Sequence, residues 1–70
     1  MERVAVTSST IASIGYDHGT STLEVEFKGG TIYAYGGVPA AIHAAMMRAD
    51  SHGKYLNAEV KDRFPCRRVR

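Results

Sequence analysis

Thr31-Ile32-Tyr33-Ala34-Tyr35-Gly36-Gly37-Val38-Pro39 is the stretch at which the chain changes periodicity. Before it, apolar and polar residues alternate as in strands; after it, the composition is that of helix. Tyr33 and Tyr35 stand two apart on an extended segment, so both rings project to one side of a strand, as shared core or as a shared binding surface. The neighbouring strand decides between the two. Thr22-Leu23-Glu24-Val25-Glu26-Phe27 alternates strictly, with Leu23, Val25 and Phe27 on one face and Glu24 and Glu26 on the other. Lys28-Gly29-Gly30 then supplies the positive-φ residues of a tight hairpin. A three-residue loop sets Val25 opposite Tyr33 and Leu23 opposite Tyr35, whereas a two-residue Gly-Gly turn sets Glu26 opposite Tyr33. The three-residue loop is favoured, because it buries two large rings in a core that has no tryptophan and only two phenylalanines.

Outward from this hairpin the elements follow in both directions. Ile11-Ala12-Ser13-Ile14-Gly15-Tyr16 alternates in part and reads as a preceding strand, joined through the turn residues Asp17-His18-Gly19-Thr20-Ser21. Downstream, Val38-Pro39 opens a helix over Ala40 to Ala49, with the proline at its favoured first-turn position. Ile42, Ala45, Met46 and Ala49 form the stripe that faces the sheet. Ser51 is placed to cap a second helix from about His52 to Phe64, in which Leu56, Val60 and Phe64 recur at i, i+4 and i+8 with Tyr55 alongside. Lys54, Asn57, Lys61 and Asp62 fall off that stripe. Pro65 stops the helix, leaving Cys66-Arg67-Arg68-Val69-Arg70 as an extended tail able to add a short C-terminal edge strand. The expected fold is α+β: a three-stranded antiparallel β-meander followed by two helices packed on one face. Its expected core is Leu23, Val25, Phe27, Tyr33, Tyr35, Ile42, Met46, Leu56 and Val60.

Length and composition restrict the function classes. Residues 1–70 are expected to form a single domain, and a chain of this size buries only about 60% of the surface it exposes when unfolded. With 44% hydrophobic and 23% charged residues, the composition is that of a globular protein and not of a disordered or fibrous one. Cys66 stands alone, so no internal disulfide and no Cys-x-x-Cys site can form, which fits a reducing, cytoplasmic setting. No apolar run approaches the roughly 18 residues of a membrane span. The net charge of +2 is unevenly spread: residues 1–53 hold three Lys or Arg against five Asp or Glu, and residues 54–70 hold six against two. Such an asymmetry fits either a solvated tail or contact with an anionic partner.

Residues with chemical potential do not assemble into an enzyme signature. His18, His43 and His52 lack the i, i+3 or i, i+4 spacing by which one helix holds a metal, so no metal and no cofactor is expected. The Gly29-Gly30 and Gly36-Gly37 pairs have the spacing of turns and not of phosphate-binding loops. Glu24 and Glu26 are paired carboxylates on a wet strand face, where general acid–base work would require burial. Cys66 has neither a histidine nor a second cysteine beside it in sequence.

Ser8-Ser9, Ile14-Gly15-Tyr16-Asp17, Leu23-x-Val25-x-Phe27, Gly30-x-x-Tyr33-x-Tyr35-x-x-Val38-Pro39 and Ala49-x-Ser51-x-Gly53-Lys54-Tyr55-x-Asn57 occur in this order and spacing. The whole resembles the KTSC domain family over roughly Thr7 to Val69, with Tyr33-Ala34-Tyr35 matching the central tyrosine-x-tyrosine element. The resemblance implies either a short free-standing bacterial or phage protein or a domain like those at the C-terminus of some lysyl-tRNA synthetases. It brings no assigned catalytic residues, and its link to RNA is by association with those synthetases. It also implies an aromatic at helix position 43, where this chain carries His43.

The leading expectation is a small non-enzymatic binding module for RNA or another nucleic acid. Lys54, Lys61, Arg63, Arg67, Arg68 and Arg70 on the second helix and tail would contact phosphates. The alternative is a protein–protein interaction or homo-oligomerisation module working through an apolar patch. In either register the tyrosines themselves make a poor stacking platform: they lie in the core, or beside Glu24 and Glu26, whose charge repels phosphate.

Overall fold

The computed structural model describes residues 2–70. Strands β1 (Arg3–Ala5), β2 (Ile11–Asp17), β3 (Thr22–Phe27) and β4 (Ile32–Tyr35) are followed by helices α1 (Ala40–Arg48) and α2 (His52–Tyr55). A π-helical turn (Leu56–Val60) and strand β5 (Cys66–Arg68) complete the chain.

The hairpin between β3 and β4 sets the register. The Phe27 N–H donates to the Thr31 carbonyl at 2.8 Å and the Gly30 N–H to the Phe27 carbonyl at 2.9 Å. Gly30 has φ 95°, a value that glycine reaches without a Cβ penalty, so the loop is the three-residue type closed by a left-handed residue. Leu23 therefore pairs with Tyr35 and Val25 with Tyr33, which puts both tyrosines on the apolar face.

The sheet has five strands in the order β1-β2-β3-β4-β5 and not the three of the expected meander. The three expected strands are its centre, and the tail adds β5 beside β4 through Tyr33–Arg68, Ala34–Arg67 and Tyr35–Cys66. Strand β1 is the unanticipated element. It lies against β2 with Arg3 opposite Gly15, and a Cβ at Gly15 would sit 2.7 Å from the Glu2 carbonyl oxygen. Only glycine lets this backbone approach, so β1 depends on a residue ten to twelve positions away from it.

The helices begin and end through specific contacts. Pro39 is extended, with φ −62° and ψ 147°, and occupies the cap position one residue before α1 instead of its first turn. Its carbonyl accepts from the Ile42 N–H at 3.0 Å. Ser51 caps α2 as expected, its hydroxyl accepting from the Lys54 N–H at 3.2 Å. The second helix does not continue as α to Phe64. It widens after Tyr55, and the Lys61 N–H bonds back five residues to the Leu56 carbonyl at 2.8 Å.

Both helical segments cover the apolar face. Leu23, Val25, Ile11, Ile14, Val38, Met46 and Val60 are fully buried, joined by Tyr35 and Leu56. Each such side chain contributes about 1.5–3 kcal/mol by leaving water. Phe27, Tyr33, Ile42, Tyr55 and Phe64 are only partly buried and pack at the margin of this cluster, so three of the expected core residues, Phe27, Tyr33 and Ile42, are peripheral.

Candidate functional site

The margin where Phe27 and Tyr33 lie is a groove of about 610 Å³, a size typical of small-ligand sites. Its floor is aromatic: Phe27, Tyr33 and Tyr35 rise from β3 and β4 because the three-residue loop aligned them, and Phe27 meets Tyr33 edge-on at 5.9 Å and 78°. One wall is the π-turn and its continuation, presenting Leu56, Asn57, Lys61 and Asp62. Cys66 of β5 closes the far side.

The two tyrosines differ in exposure. Tyr35 is 4% exposed and belongs to the core, whereas Tyr33 is half-buried and offers part of its ring to the groove. Burial, aided by Cys66 and Tyr33 nearby, pushes the Tyr35 phenol above its ordinary value, so it remains a neutral hydrogen-bonding group at physiological pH. The expectation that both rings are simply core is thus correct for Tyr35 and incomplete for Tyr33.

The structure separates the six cations expected to act together. Lys61 lines the groove, and Arg68, opposite Tyr33 on β5, projects to the same side of the sheet. Lys54 on α2 and Arg63 in the turn after Val60 are exposed. Arg67 pairs opposite Ala34 and faces the other side. Arg70 also serves that side, where its guanidinium meets Glu26 at 3.1 Å.

The other face of the sheet is occupied by its own charges. Arg3 binds Glu24 and donates to the Ser13 hydroxyl at 3.2 Å, and Ser13 in turn donates to Glu26 at 2.7 Å. Glu24 and Glu26 are therefore not the free wet carboxylates of the sequence reading; their side chains are 14% and 24% exposed beneath Arg3 and Arg70.

The histidines take structural positions. His43 stacks on Tyr16 at 4.9 Å and 9°, and His18 meets the same ring edge-on at 4.8 Å. The imidazole thus fills the place of the implied aromatic. Burial, then the neighbouring His18, lowers the His43 pKa. The His52 ring nitrogen Nδ1 lies 2.8 Å from the Met46 carbonyl at the end of α1. Among the described residues no three His, Cys, Asp or Glu side chains are grouped to hold a metal ion. No helix among them is long and apolar enough to cross a membrane.

Sequence reasoning placed Asn57 and Asp62 as mere solvent-facing positions and did not find the groove. The wall residues belong to the π-turn and the chain just after it, and Leu56 and Val60 keep the spacing of an ordinary α-helical stripe, which gives no sign of the widening.

Comparison with known proteins gives a consistent result. The KTSC domain family profile matches residues 7–64. An uncharacterized protein of Stutzerimonas stutzeri is 44% identical over 61 residues, covering 87% of this chain and 86% of its own length. A lysine–tRNA ligase of Nostoc punctiforme is 34% identical over 56 residues, covering 80% of this chain but 10% of the ligase. The crystal structure of a KTSC domain protein from Yersinia pestis superimposes with a TM-score of 0.95 at 39% identity, covering 99% of this chain and 97% of that one.

Proposed function

The chain belongs to the KTSC domain family, and we propose that it is a non-catalytic module that binds single-stranded RNA in the aromatic groove. The observation that carries the reading is the half-buried Tyr33 ring, beside Phe27, in a groove that also contains Lys61. An unstacked base laid on an aromatic ring gains about 1–3 kcal/mol, and every base has a face to offer. Lys61 and Arg68 supply positive charge on that side for the adjoining phosphates, with Lys54 and Arg63 exposed on the helical segments. This reading departs from the sequence expectation in two respects: the partly exposed Tyr33 ring serves as a stacking surface, and Arg67 and Arg70, which lie toward the opposite face, fall outside the proposed surface. The similarity to a stretch of a lysine–tRNA ligase adds support from a protein that handles RNA.

Titration of a short single-stranded RNA at two salt concentrations tests the reading. Each neutralised phosphate releases counterions, so affinity should fall steeply with salt, and Tyr33→Ala should weaken binding by about 5- to 150-fold. Absence of binding at low salt would remove the proposal. A protein-interaction role has less to support it: among the described residues the exposed large apolar side chains, Val4 and Val69, stand singly near opposite edges of the sheet.

A further inference from the structure

We infer that the groove selects guanine among the bases of such an RNA, with the Asp62 carboxylate accepting from guanine N1–H and N2–H and the Asn57 amide donating to O6. The inference rests on the RNA-binding reading above and begins from a residue that reading leaves unused. A carboxylate beside a phosphate-binding lysine opposes the backbone it is meant to attract, unless it faces hydrogen-bond donors of the ligand. Asp62 lines the groove, and among the described residues it forms no ion pair with Lys61 or any other cation.

The π-turn gives the wall its chemistry. In a regular α-helix, residues five apart diverge by about 140°, which would send Asn57 and Asp62 to different sides. A π-turn closes its hydrogen bond over five residues, as the Lys61 N–H does to the Leu56 carbonyl, and so brings residues four and five apart onto one side. Asn57, Lys61 and Asp62 line the same groove as the Tyr33 ring.

Hydrogen-bond complementarity then distinguishes the bases. Guanine alone presents two adjacent N–H donors on its Watson–Crick edge, one for each carboxylate oxygen, with an acceptor, O6, beside them. Cytosine and adenine place a ring-nitrogen lone pair next to their exocyclic amine, and that lone pair would face the carboxylate. Uracil offers one N–H between two carbonyl oxygens. Lys61 remains free for a phosphate.

The test is fluorescence titration of four pentanucleotides, U5 and its variants with a central G, A or C, at low salt. The G-containing RNA should bind about tenfold tighter than the other three. Asp62→Ala should abolish that difference, and Asn57→Ala should lower the affinity of the G-containing RNA more than that of U5. Both residues are exposed, and a thermal melt verifies that the variants fold. Equal wild-type affinities, preference for another base, or a guanine preference that survives Asp62→Ala overturns base selection while RNA binding stands. Failure of all four RNAs to bind overturns both.

Discussion

The two faces of this sheet come from the same strands and have opposite electrostatic fates. On the open face, Arg3 and Arg70 are tied to Glu24 and Glu26, and Ser13 links the pairs, so the charges there satisfy one another. On the helix-covered face, Lys61 stands beside an aromatic groove, and Arg68 joins it across β5. A count of positive residues treats Arg70 and Lys61 as equivalent. The strand alternation makes one of them a structural counterion and leaves the other available to a ligand.

Four tests probe that contrast. On the covered face, Tyr35→Ala should cost about 3–5 kcal/mol, the usual price of deleting a large buried ring and enough to unfold much of a domain this small. Urea denaturation measures it, and a near-native midpoint would mean that the ring does not anchor the core. On the open face, Gly15→Ala forces a Cβ to within 2.7 Å of the Glu2 carbonyl and should cost about 1–3 kcal/mol by displacing β1. Because Arg3 moves with β1, adding Arg3→Ala to that variant should cost much less than in the native protein, which a double-mutant cycle detects.

The third comparison sets the faces against each other directly. Lys61→Ala should lower the slope of log affinity against log salt by about one, while Arg70→Ala should leave it unchanged and shift stability by no more than about 1 kcal/mol, because the Arg70 side chain of that pair is largely exposed. Equal slopes for the two variants would erase the distinction between faces. The smallest effect concerns pH. The folded His43 binds a proton less readily than the unfolded chain, so its contribution is fully present above the unfolded value of about 6.5 and is lost as pH falls through the lower folded value. His43→Phe should flatten that acid-side decline in melting temperature.

Much of the frame was legible because it follows from local rules. The strict alternation of β3, together with the need to bury two large rings in a small core, selected the three-residue loop that pairs Val25 with Tyr33, and Ser51 announced α2. Strand β1 was not legible: Arg3-Val4-Ala5 is too short for a periodicity, and its approach to β2 depends on the missing Cβ of one glycine. The π-turn hid for a different reason. Leu56 and Val60 are spaced as in an α-helix and are both buried, so the apolar stripe looks unbroken while the polar residues beside it rotate. The groove inherits that ambiguity, and with it the roles of Asn57 and Asp62.

Spatial strand order equals chain order, and this has a kinetic consequence. Strands β1 to β4 are joined by short connections, but β5 reaches β4 only after residues 36–65 have folded between them. Loop closure over that span should make β5 join later than the inner strands and release before them. In hydrogen exchange, the Gly36 and Val69 amides, bonded to Pro65 and Ile32, should open before the inner amides of β2 and β3. Cys66 of β5 lines the groove, so early release of this strand should open one side of it while the remainder of the sheet stays closed.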